Sequence, residues 1–156
     1  MKSLAYFDNI EDLDSESKYL AHKAKEATAH AYAPYSKFCV GAALILEDGT
    51  IISGSNKENA AYPLCMCAER VALYAASAQH PEKKIMKLAV VAHKKNHKDL
   101  TPATCCGSCR QVLVEFESRQ NKPIELIMFG PDKKWIKAPS AASILPLSFS
   151  KDSLDV

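Results

Sequence analysis

The residues of this chain best suited to chemistry are cysteines set at the entries of helices. "TCCGSCRQVLVEFE" holds Cys106 and Cys109 in a C-x-x-C spacing that lets two thiolates converge on one ion. "CMCAERVALYAASA" puts Cys67 at the start of a second helix. A helix N-terminus carries about half a positive charge, which favours thiolate over thiol. Three protein ligands leave the fourth tetrahedral position of a zinc ion open, the arrangement of a catalytic rather than a structural metal. Glu69, two residues past Cys67, is a carboxylate placed to move protons to and from a metal-activated water. Three thiolates around Zn²⁺ leave an excess of negative charge, and Arg70, one turn after Cys67, can offset it by hydrogen bonding to sulfur. A C-x-x-C alone would equally be a redox pair, or half of a four-cysteine structural site with Cys65 as the last ligand. Glu69 and Arg70 tip the reading toward catalysis.

The rest of the composition limits the alternatives. A chain of 156 residues suits one domain, 1–156, and the net charge of +2 is too small for a surface built to grip a phosphate backbone. The clusters "PEKKIMK" and "HKKNHK" read as solvated edges. "MKSLAYFDNI" lacks the apolar core of a signal peptide, and no apolar run approaches the ~18 residues of a membrane span. The expectation is a cytoplasmic protein, away from membranes, in which six reduced cysteines serve metal binding or catalysis.

The elements that must position the cysteines follow from periodicity. "DSESKYLAHKAKEATAHAYAPYS" reads as a helix capped by Asp14 or Ser15 and closed by Pro34. "FCVGAALILEDGTIISGS" is two strands joined through Asp48-Gly49, the first apolar at nearly every position, as for a strand covered on both faces. A helix from Cys67, the buried strand "IMKLAVVAH", the helix "GSCRQVLVEFESR" and the buried strand "IELIMFG" come next, then a short strand "WIKA" and a short terminal helix from "PSAASILP". Alternating helices and buried strands imply a sheet between helical layers. The link from "IELIMFG" to "WIKA" is too short for a crossover, so those strands should run antiparallel.

"CAER" followed by "CGSCRQ" resembles the zinc-dependent cytidine deaminases, whose three-cysteine signature has a glutamate that is not a ligand. "YAPYSKFCVGAAL", "GSNKENAAYPLCMCAER" and "ILPLSF" also look like stretches of the small, homotetrameric members. The resemblance implies a three-layer α/β/α sandwich with a mixed five-stranded sheet, an antiparallel N-terminal hairpin and an antiparallel last strand. It implies one Zn²⁺ per subunit on Cys67, Cys106 and Cys109. The implied reaction is hydrolysis of cytidine and 2′-deoxycytidine to their uridine products in pyrimidine salvage, with zinc-activated water and Glu69 as proton shuttle. Cys39, Cys65 and Cys105 are then spare, read as small buried hydrophobes; Cys105 stands where the family usually has proline.

The same resemblance places Asn56 and Glu58 on the ribose hydroxyls, Phe38 against the pyrimidine ring and the Ala68 backbone on the base edge. Ala60, Tyr62 and Phe149 take positions that reach a neighbouring subunit's site in a homotetramer with shared active sites, while Gln111 and Tyr35 support site and interface. Without the resemblance, "NKEN" would pass for a turn, Phe38 for core and Phe149 for terminal packing. The implied partner is a free nucleoside rather than a nucleic acid polymer. Deaminases of polynucleotides or of nucleoside antibiotics, and a non-catalytic zinc module, are the rival readings. The module would have no need of Glu69, and the polynucleotide enzymes resemble a version with a parallel final strand.

Overall fold

The computed structural model describes residues 3–154; residues 1–2 and 155–156 of the expected 1–156 domain lie outside the described residues. Helix α1 (Ser15–Ala27) starts at Asp14, whose carboxylate accepts from the Ser17 N–H at 2.9 Å and the Ser17 hydroxyl at 2.7 Å. The cap satisfies an N–H that has no partner inside the helix. The helix stops short of Pro34: a 3-10 turn over Thr28–His30 follows Ala27, and the Thr28 hydroxyl donates to the Lys25 carbonyl at 2.6 Å. A side chain that bonds its own backbone in this way competes with the helical ladder.

Six strands form one sheet, β1 (Ala5–Phe7), β2 (Phe38–Leu46), β3 (Ile51–Ser55), β4 (Ile85–Lys94), β5 (Glu125–Phe129) and β6 (Trp135–Ala138), in the order β1-β6-β5-β4-β2-β3. This corrects the expected five. The extra strand is a three-residue edge that pairs antiparallel with β6, too short to display a period of two in sequence. The β2–β3 hairpin is antiparallel, as is β6 against β5, and β4–β5 is a parallel pair. The expected terminal helix shrinks to a 3-10 turn at Ala142–Ile144, because Pro139 and Pro146 leave room for little more. Glu117 pins its approach, accepting from the N–H groups of Ala141 (2.7 Å) and Ile124 (2.7 Å).

The apolar run of β2 is explained by cover on both faces. Ala42, Leu44 and Leu46 pack with Leu88 and Val90 under α2 (Ala68–Gln79) and α3 (Gly107–Gln120). Ala43 faces the other way, with Ala89, Val91 and Ile127 under Leu20 and Ala24 of α1. The result is three layers. Both cysteine-bearing helix starts lie in the α2–α3 layer.

On the α1 side, Asp14 also pairs with Lys137 at 2.6 Å and Lys87 at 3.4 Å. Partial burial would raise its pKa, but Lys137, Ser17 and Lys87 outweigh that and hold the carboxyl well below the usual carboxylate range. A depressed folded pKa stabilises above the unfolded value and is lost as pH falls. Asp14→Asn keeps a capping side chain but loses the charge. It is expected to cost about 1 kcal/mol or less near neutral pH, the pair being partly exposed, and the deficit should shrink below about pH 4. Urea unfolding of both proteins across that range checks this.

Candidate active site

Cys67 is the N-cap residue of α2, in extended geometry, and its side chain makes no capping hydrogen bond. Cys106 caps α3, its sulfur accepting from the Cys109 N–H at 3.4 Å. The two helix starts bring Cys67 Sγ within 3.9 Å of Cys106 Sγ, and all three sulfurs, with Cys109, lie within 4.8 Å of one another. Tetrahedral zinc with Zn–S near 2.3 Å calls for sulfurs about 3.8 Å apart. The triad fits zinc.

Its electrostatics fit as well. Arg70 Nη2 donates to Cys67 Sγ at 3.4 Å, and Arg70 Nε is buried without a hydrogen-bond partner among the described residues. The Cys67 pKa is lowered to about 5 by hydrogen bonding from the Cys109 thiol, helped by Arg70 and Cys106 and opposed by burial. Cys109 is pushed up in turn, because its proton is held by Cys67 and the surroundings are negative. A cation bound by all three sulfurs must displace that proton, so affinity rises with pH.

Arg70→Met keeps an unbranched apolar stem and removes the charge and donors of the side chain. The Cys67 pKa should rise toward the ordinary thiol range, and zinc affinity should fall roughly 10–100-fold. Competition with a chromophoric chelator, and the pH dependence of Cys67 alkylation in metal-free protein, measure the two effects.

Glu69 lies in the first turn of α2 and is 4% exposed. Burial raises its pKa against hydrogen bonding from its own backbone N–H; the Cys67 thiolate also pushes it up, against smaller opposing effects from the Cys105 thiol and Arg70. A carboxyl whose neutral form is within reach suits alternate service as base and acid. Cys105 itself is buried, and burial together with the adjacent Glu69 keeps its thiol protonated.

These groups open into a cleft of about 870 Å³. Phe38, Asn56, Glu58, Tyr62, Ala68, Glu69 and Arg70 all line it, with Cys67 and Cys106. The Asn56 amide stitches the open end of β2, accepting from Val40 N–H and donating to Phe38 O, each at 2.8 Å. One amide hydrogen and further carbonyl capacity remain for a ligand. Glu58 accepts from the Ser36 hydroxyl and from the Tyr35 N–H at 2.9 Å. Ser36 first, then those backbone donors, hold its carboxyl below the usual range, so it is ionised. "NKEN" is therefore a fixed polar wall: Lys57 and Met66 exchange N–H···O bonds at 2.9 Å in both directions.

Four residues singled out in the sequence stand outside this lining, one of them Cys109, which is fully buried. Ala60 is exposed, Phe149 is 58% exposed, and Gln111 donates to the Phe149 carbonyl at 2.8 Å instead of facing the cleft. Tyr62 is 68% exposed at the cleft mouth, edge-on to Tyr35 with ring centroids 5.9 Å apart. Ser36, Met66, Val90 and Thr104 join the lining without having been singled out. Ser36 was legible only as a polar residue before a strand, and Val90 only as core. Of the spare cysteines, Cys105 alone is fully buried; Cys65 is half-buried, lines the cleft and accepts from Asn59 N–H at 3.2 Å.

Residues 14–122 match the family described as the cytidine and deoxycytidylate deaminase zinc-binding region. The chain is 42% identical over 146 residues to a cytidine deaminase of Sporosarcina psychrophila, covering 94% of this chain and 95% of that one. It is 36% identical over 140 residues to a cytidine deaminase of Halalkalibacterium halodurans, covering 90% and 98%. In structure it resembles cytidine deaminase from Burkholderia pseudomallei, with a TM-score of 0.69 and 39% identity over 84% of this chain and 97% of that one. The Mycobacterium tuberculosis cytidine deaminase gives a TM-score of 0.66 at 32% identity, over 89% and 99%.

Proposed function

The chain belongs to the zinc-dependent cytidine deaminases, and from that premise we propose that it hydrolyses cytidine and 2′-deoxycytidine to uridine and 2′-deoxyuridine, releasing ammonia. The observation that carries the reading is the meeting of a sulfur triad sized for zinc, two of whose members line the cleft, with a buried carboxyl on the same cleft whose pKa is raised. Zinc on Cys67, Cys106 and Cys109 would supply Lewis acidity that makes water nucleophilic near neutral pH.

Glu69 takes the proton that water loses as its oxygen bonds to C4 of the pyrimidine. It delivers that proton to N3. It then takes the remaining proton of the new C4 hydroxyl and hands it to the amino group, which departs as ammonia as the C4–N bond breaks and C4=O forms. Phe38 packs on the ring and the Ala68 backbone holds the base edge. Asn56 and Glu58 take the ribose hydroxyls, Glu58 as the ionised acceptor that Ser36 and Tyr35 already orient. Arg70 stabilises the thiolates and keeps Cys67 aimed.

The reading includes a homotetramer with shared sites, in which Ala60, Tyr62 and Phe149 complete a neighbour's cleft. It is supported by the exposure of Tyr62, Leu64, Leu147 and Phe149, an apolar set that a partner would cover. It also treats 1–156 as one domain, since one sheet gathers strands from both ends of the chain, and places the enzyme in the cytoplasm, where its thiols stay reduced. A nucleoside is favoured over a polynucleotide by the small net charge and by β6 running antiparallel to β5. Among the described residues no helix is long and apolar enough to cross a membrane.

The deciding experiment follows the ultraviolet change on incubation of zinc-loaded protein with cytidine and with 2′-deoxycytidine, beside sedimentation of the same sample. Turnover by a tetramer is expected. Absence of turnover on both nucleosides would overturn the substrate assignment, and an active monomer would overturn the shared site.

A further inference from the structure

The face of the sheet opposite the metal triad carries a second cavity, of about 520 Å³. Its floor is aromatic and apolar: Phe129 and Trp135 lie with ring centroids 5.2 Å apart, and Ile10 and Leu100 complete the surface. Lys25 on α1 and Lys133 in the β5–β6 turn stand at its rim with His22, facing a lone carboxylate, Asp99. Neither lysine has an ion-pair partner among the described residues. The wall that supplies Asp99 and Leu100 is the polar loop "KKNHKDLTPAT". It is tied down by Thr101 N–H to Ala92 O at 2.8 Å and by Ala103 N–H to Phe129 O at 2.7 Å, so the cavity is formed without a ligand.

The turn that presents Lys133 adds an independent observation. Asp132 and Lys133 have φ of 58° and 55°, a left-handed pair at the tip of the link 130–134 between β5 and β6, with Lys134 N–H donating to Pro131 O at 3.3 Å. A left-handed pair of this kind favours glycine at its second position, because a side chain there is strained. Here that position carries a lysine with no side-chain partner among the described residues, at the rim of an aromatic cavity.

We propose that this cavity is a second binding site, for a small planar aromatic compound bearing an anionic group. The ring would lie on Phe129 and Trp135, and Lys25 and Lys133, which outnumber Asp99, would hold the anion. Both an aromatic carboxylic acid and a nucleotide have this chemistry. The assignment does not depend on the deaminase reading, since no residue of the cavity belongs to the catalytic cleft.

Trp135 is the single tryptophan of the chain, so its fluorescence reports this site alone. Zinc-loaded protein is titrated with 2-naphthoate, with adenosine 5′-monophosphate and with neutral 2-naphthamide. Saturable change with at least one of the anions is expected, and which one responds identifies the source. Lys133→Gly and Lys25→Gln should each weaken that binding by roughly tenfold or more. Lys133→Gly should melt no lower than the unaltered protein, because glycine relieves the turn. The proposal fails if neither anion gives a saturable change, if both variants bind as tightly as the parent, if 2-naphthamide binds equally well, or if uridine displaces the probe.

Discussion

Glu69→Ala protein is expected to bind zinc in the same stoichiometry as the parent and to deaminate cytidine at least ~10²–10⁴-fold more slowly, the range lost with a general acid–base group. The two halves of this expectation have separate causes. The sulfurs that would hold zinc stand at the N-terminal turns of α2 and α3, and Glu69 is not in that group. The proton transfers at N3 and at the leaving amine, in contrast, have no other carboxylate to serve them among the described residues of the cleft. Glu58 is the only other one in its lining, and Ser36 and Tyr35 direct it toward the ribose. Stability should move the other way. Burial raises the Glu69 pKa, so the fold resists its charge, and Glu69→Gln should melt at or above the parent's midpoint near neutral pH. Metal analysis, steady-state assays and thermal melting of the zinc-loaded variants test all three statements. Retained turnover in Glu69→Gln would remove Glu69 from the proton path, and loss of zinc would make it part of the metal site.

The sequence showed best what is local. Cys106 and Cys109 are three residues apart on one helix start, and Arg70 is three residues from Cys67, so their relations follow from helix geometry alone. The antiparallel run of β6 followed from the shortness of its link to β5. What the sequence concealed is non-local or too short to have a period. The β1 edge depends on β6, more than a hundred residues away. Ser36 meets Glu58 across 22 residues. The α1-face cavity draws on four separate segments, none of which carries a motif. Phe149 drew notice through a resemblance; its carbonyl accepts from Gln111 and its side chain is largely exposed.

Gly54→Ala is expected to injure fold and site together. A Cβ at Gly54 would lie 2.6 Å from Ala68 O and 2.6 Å from Ala72 N, both backbone atoms of α2. No rotamer change relieves such a contact, so the helix itself must shift away from β3. Overpacking of this kind costs about 1–3 kcal/mol, and more where backbone is struck. The atoms struck belong to the first turns of α2, which also carry Cys67 and Glu69. A displacement on the order of 1 Å there separates Cys67 from Cys106 and Cys109 and can cost ~10²-fold in turnover. Two other glycines separate these effects. Gly41→Ala would place a Cβ 2.0 Å from Ala24 O, striking α1 on the far face, and should destabilise with less effect on zinc stoichiometry in the protein that still folds. Gly107, beside Cys106, has nothing within 4 Å of an added Cβ, and its alanine variant should unfold no more easily than the parent. Urea unfolding, zinc affinity and turnover across the three variants resolve the pattern. Parental zinc affinity and turnover in Gly54→Ala would mean that α2 can move on β3 without carrying Cys67 and Glu69, and direct strand-to-helix packing would not be what sets the metal triad.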